Sequence, residues 1–268
     1  RTMKTSFTFF FYVTLSAGQT LRAESSNELA VTVPPKSLKL DRFYRKYLDF
    51  HGNPIVSSAK VTDKALREAY RIVGIMCSKR PDIVKEMARY KVRLAVMAPN
   101  EMTTDIPEHS NLKPKKHWDR RARGLGATKA RPAVSCGEEN LLGYQADRYH
   151  GESILIHEFA HTMHELGARF LDRDFDKRLK TAYDDAMKKG LWKKTYAATN
   201  PNEYWAEGVQ DWFDSNRTAS PADGIHNEIH TREGLKEYDP ALATLIATVY
   251  DETEWRYKYP KGGTTRKK

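Results

Sequence analysis

The chain has 268 residues, 40% of them hydrophobic and 11% aromatic, enough for one sizeable globular domain with a small appendage. No run of about 18 apolar residues occurs, so a spanning helix and stable membrane insertion are not expected. The net charge is +10, concentrated at 113–123 and 256–268, and no nucleic-acid motif accompanies it. The plain reading is a solvated basic surface; acidic substrates, anionic glycans or lipid headgroups are what such a surface would attract.

Met3 and Lys4 precede an apolar stretch over 7–15, followed by the small residues Ser16, Ala17 and Gly18, with Ala23 as a further cleavage point. Residues 1–23 therefore read as a secretory signal peptide with a short upstream remnant, which predicts a secreted, extracellular protein. Residues 24–60 are polar and contain proline, and read as an extended leader segment ahead of a domain over 61–268. Helical periodicity runs over 63–78, a second helix opens at Pro81, and 91–97 alternates as a strand. Residues 99–129 read as one long loop, and 131–136 as a short strand. A helix starts at the Ser153 N-cap and stops at Gly167, and another covers 174–189. Asn200 as cap and Pro201 as first helical residue open a helix to about residue 215, and Asp239-Pro240 opens a last one to 250. Cys77 and Cys136 are an even pair in a chain read as secreted. One disulfide is expected, with two buried free thiols as the alternative.

The chemistry lies in His157-Glu158-Phe159-Ala160-His161, an HExxH run. Chance would give ~0.02 such runs in a chain of this composition. Residues four apart on a helix project from one face, so both imidazoles can grip one metal ion, and Glu158 can take a proton from a metal-bound water. The flanking Ile154, Leu155, Ile156, Phe159, Ala160, Met163 and Leu166 describe a buried helix, in which unpaired imidazoles would be costly.

A catalytic zinc takes a third protein ligand. The HExxHxxGxxH pattern fails at both later positions, which hold His164 and Gly167. The remaining source is the helix opened by Asn200. Glu203 and Glu207 lie one turn apart on it, the first suited to ligate the metal and the second to accept a hydrogen bond from a ligating histidine, with Glu207 the fallback ligand. His226 and His230 form a second HxxxH pair without the glutamate, and a second metal site there is not expected.

HEFAH, followed by Tyr196-Ala197-Ala198-Thr199-Asn200-Pro201-Asn202-Glu203-Tyr204-Trp205-Ala206-Glu207, resembles the gluzincin metallopeptidases of the anthrax-lethal-factor type, a group that includes the bacterial Pro-Pro endopeptidases. The likeness runs from about residue 60 to 216 and is densest in these two motifs. It implies a phenol role for Tyr196, donating to the oxyanion of a tetrahedral intermediate. It also implies an edge strand, just before the active-site helix, that holds substrate in extended form. The expected fold is an α+β zincin-like domain, mostly helical, with a small mixed sheet on the HExxH helix. The expected function is a secreted zinc-dependent peptidase acting on peptide or protein substrates. Its one Zn2+ would be held by His157, His161 and Glu203, with Glu158 and Tyr196 catalytic and Glu207 supporting. The alternatives are a zinc-stabilised binding protein and a non-peptide amide hydrolase.

Overall fold

The computed structural model describes residues 29–261. The segment read as a signal peptide lies outside the described residues. Five strands form one mixed sheet in the order β1-β2-β3-β5-β4. β1 (Lys46–Phe50) and β2 (Asn53–Ser57) make an antiparallel hairpin. Its two-residue loop, His51-Gly52, has positive φ at both positions (49° and 83°), the geometry whose twist matches that of the flanking strands. β3 (Arg93–Met97) and β5 (Ala133–Gly137) add in parallel, and β4 (Gly124–Leu125) closes the far edge antiparallel to β5.

Two strands therefore come from the segment read as a leader. Leu48, Phe50, Ile55 and Val56 are buried, so this stretch belongs to the sheet and does not wrap around a finished domain. The strand expected over 131–136 is interior, paired on both sides, and the edge belongs to β4. The long loop expected over 99–129 is also shaped. It holds α3 (Lys115–Arg121) and β4.

α1 (Asp63–Met76) and α2 (Pro81–Arg89) connect β2 to β3. Thr62 Oγ1 caps α1 by accepting from the Ala65 N–H, and its stripe of Ala65, Leu66, Ala69, Ile72, Val73 and Met76 is buried. The short α4 (Glu138–Leu142) follows β5 directly. α5 (Ile154–Met163) is capped by Ser153, whose Oγ accepts from the Ile156 N–H. It packs on α1, α2, β4, β5 and α8 (Pro201–Trp212), making it the central helix of the domain.

The expected stop at Gly167 does not occur. The chain runs through a π-helical turn, His164–Ala168, into α6 (Arg169–Leu171). Gly167 is there for space: a Cβ would sit 2.5 Å from Ile83 Cγ2 on α2. α7 (Phe175–Lys188), α8, α9 (Arg232–Tyr238) and α10 (Pro240–Ala247) complete the helical layer. Asp239 joins them. It caps α10 through the Leu242 N–H and accepts from Tyr204 Oη (2.6 Å) and Trp192 Nε1 (2.9 Å).

Cys77 and Cys136 are free and fully buried, so the expected disulfide is absent. Both thiols sit in the main apolar core, at the end of α1 and within β5, and burial pushes both pKa values well up. The second of the two readings, a pair of inert buried thiols, is the one this packing matches. No helix among the described residues is long and apolar enough to cross a membrane.

Candidate metal centre

α5 and α8 meet across the floor of a cleft of about 960 Å³. Trp205 Nε1 on α8 donates to the Ala160 carbonyl on α5 at 3.1 Å, which fixes the separation and rotation of the two helices. The Asn200 side chain accepts from the Asn202 and Glu203 N–H groups and holds the first turn of α8 toward α5. His157 and His161 project from one face of α5, and Glu203 faces them. Nε2 of His157 lies 3.1 Å from Nε2 of His161, and Glu203 Oε2 lies 3.2 Å and 3.1 Å from the two. Among the described residues this is the group of three ligand atoms that could hold one cation.

The donor chemistry points the same way. His157 Nδ1 sits 2.8 Å from Gln210 Oε1, while Gln210 Nε2 donates to the Ser153 and Ser215 carbonyls at 3.3 and 3.5 Å. The amide oxygen can only accept, so Nδ1 carries a proton and Nε2 is the nitrogen left to face the metal centre. Nε2 faces a carboxylate oxygen and the second imidazole, a cluster that calls for positive charge, which a proton or a bound cation supplies. Donors about 2.05 Å from a tetrahedral ion would be ~3.3 Å apart, close to the spacing found. The residues present therefore fit a divalent cation.

The field around them is strongly negative. Burial opposes a proton on His157, but the Glu203 hydrogen bond and the charges of Glu158, Glu207 and Glu203 outweigh it and push its pKa up to about 10. Burial alone would raise the Glu203 carboxyl, yet its hydrogen bonds to His157 and His161 hold it well below the carboxylate range. Glu158 is pushed above its usual value by burial, against the opposing charges of His157 and His161.

Tyr196 Oη donates to Glu203 Oε1 at 3.0 Å and accepts from Arg121 Nη2 at 3.1 Å. Burial and the neighbouring Glu203 push its pKa up to about 12, so the phenol keeps its proton. Glu207 is buried on the next turn of α8, 3.4 Å from His157 Nδ1, and takes an Asn216 hydrogen bond at 3.0 Å. The role expected of Glu207, accepting from a ligating imidazole, thus falls chiefly to Gln210, which sequence reasoning missed. Its signal was position alone: 203, 207 and 210 fall on one helical face.

β4 forms the wall above α5. At Gly126 a Cβ would stand 2.8 Å from the His161 Cβ, and at Gly124 one would stand 2.9 Å from Glu158 Cγ and 2.5 Å from Ile154 Cγ2. Only glycine lets the backbone come this near the paired histidines. The other histidines play different parts. His164 is buried against Phe175 and Trp205 and bonds Asp176 at 2.7 Å, a packing role. His226 is buried beside Glu152 at 3.3 Å, whereas His230 contacts the Glu228 carbonyl, so this pair does not converge.

No family model matches the chain, and no curated protein does. Among solved structures, the Pro-Pro endopeptidase PPEP-2 from Paenibacillus alvei aligns over 73% of this chain and 96% of its own, with 14% identity and a TM-score of 0.39. With a likeness that weak, the functional reading rests on the site itself.

Proposed function

We propose that the chain is a zinc-dependent peptidase in which His157, His161 and Glu203 hold one Zn2+. The observation that carries this is the meeting of three ligand atoms, each 3.1–3.2 Å from the others, beside Glu158 on the floor of an open cleft. Bound zinc supplies Lewis acidity, lowering the pKa of water from 15.7 to about 7 and polarising a carbonyl.

This chain's residues do the rest. Glu158 takes the proton of the attacking water and returns it to the leaving amine. Tyr196 turns its O–H from Glu203 toward the oxygen on which charge develops, and Arg121 holds the phenol oxygen from behind. Gln210 keeps the His157 proton on Nδ1, and so keeps Nε2 available. The sheet edge β4 borders the cleft and offers an extended peptide a strand to pair with.

Glu158→Gln tests the assignment. It should retain zinc and lose turnover of a peptide library by about 100- to 10,000-fold. Parental turnover by that variant would refute the role.

A further inference from the structure

Two guanidinium groups stand on one wall of the cleft with no carboxylate partner. Arg121, at the end of α3, and Arg148 both line the cleft and are exposed. Arg121 uses one donor, on Tyr196 Oη; Arg148 uses one, on the Arg120 carbonyl at 2.5 Å, and stacks over Tyr149. Neither forms an ion pair among the described residues, and each has further N–H groups to offer.

The fold ties the two arginines together through the backbone at the end of α3. Tyr149 Oη donates to the Arg121 carbonyl at 2.6 Å, so residues 148 and 149 clamp two successive carbonyls at the end of α3. Both guanidiniums lie near enough to the Tyr149 phenol to act on it electrostatically, lowering a pKa that burial raises. The cleft's own carboxylates are engaged elsewhere. Glu203 and Glu207 belong to the metal centre, and Glu158 lies beside it. Glu152 faces His226 and Arg217, and Glu165 bonds Arg169 at 2.6 Å. A carboxylate brought by a ligand would complete this wall with charge-assisted hydrogen bonds.

We propose that the cleft selects peptides carrying a carboxylate next to the bond presented to the metal centre, held by Arg121 and Arg148. The cutting of that bond rests on the peptidase reading above; the binding does not. Because Arg121 touches Tyr196 and Tyr196 touches Glu203, the recognised group lies within a residue or two of the reacting carbonyl. Its source is an Asp or Glu side chain or the peptide's own C-terminal carboxylate.

Fluorescence anisotropy with zinc-loaded Glu158→Gln protein, which binds without cutting, tests this at near-physiological salt. The probes are labelled decapeptides: alternating Glu-Ala and alternating Lys-Ala, both amidated, and an uncharged Ser-Ala peptide with a free or an amidated C-terminus. A carboxylate-bearing peptide should bind about 10-fold tighter than its counterpart. The Glu-Ala arm reports side chains and the free-terminus arm reports the C-terminus. Arg121→Ala/Arg148→Ala should abolish the preference, and Arg121→Glu/Arg148→Glu should reverse it toward Lys-Ala. Lys188→Ala/Lys193→Ala, which removes the same charge from exposed sites outside the cleft, should leave it intact. No preference in either arm, or equal loss in the lysine control, would overturn the proposal. Failure of the peptidase reading would show separately, as a peptide library left uncut by the parental protein.

Discussion

Replacing Gln210 by Leu isolates the contribution of one hydrogen bond to metal affinity. In the metal-free protein Nε2 can carry a proton, which Glu203 accepts, so an imidazole that loses the Gln210 acceptor can release its Nδ1 proton and the loss costs little there. With a cation bound, Nε2 is occupied and the proton must stay on Nδ1. Among the described residues the fallback is Glu207 Oε1, at 3.4 Å. A buried N–H left without a good partner costs about 1–3 kcal/mol, which is about 5- to 150-fold in zinc affinity. That range brackets the ~10- to 100-fold found when partners of ligating histidines are removed. Competition with a chromophoric chelator measures the affinity. The loss of the bonds to Ser153 and Ser215 is read separately, as a fall in the metal-free melting temperature. Zinc affinity within twofold of the parent would refute the claim that Gln210 sets the tautomer.

Three further outcomes follow from the packing and the charges. Gly167→Ala should lower the melting temperature by ~3–10 °C, because its Cβ meets Ile83 Cγ2 at 2.5 Å. Combined with Ile83→Ala, which removes that methyl, the two costs should fall short of additive by about 1 kcal/mol or more in urea melts. Burial, and the nearby Arg131, hold the His109 imidazole down at about 4, against an ordinary value of 6.5. The unfolded chain takes up that proton first, so the stability is fully present above 6.5 and is lost as pH falls toward 4, by roughly 3 kcal/mol in all. His109→Gln should flatten this part of the pH–stability curve relative to the parent. Zinc at about 100 times its Kd should raise stability by ~2.7 kcal/mol, and a chelator should remove that gain in a thermal scan.

What the sequence disclosed was local. The i,i+4 spacing of His157 and His161, the Asn200-Pro201 start of α8 and the stripe of α1 are each set by a few neighbouring residues, and helix geometry turns them directly into faces. What it hid was non-local. β1 and β2 are five residues each, and only pairing with β3 separates them from an extended leader. β4 is two residues long and owes its position to two glycines pressed against α5, a contact without any periodic trace. Gly167 reads as a stop because glycine usually marks one, but here it admits a neighbouring helix. Gln210 carries no motif at all, because an amide becomes a tautomer-setting group only when a particular imidazole stands opposite it.

The central claim is that side chains from two helices hold one cation, and metal analysis of purified protein tests it most directly. After dialysis against limiting zinc, the parent and Glu158→Gln should each retain one equivalent, while His157→Ala, His161→Ala and Glu203→Ala should each retain far less, because a catalytic zinc site is built on three protein ligands. Full zinc retention by Glu203→Ala would contradict the account.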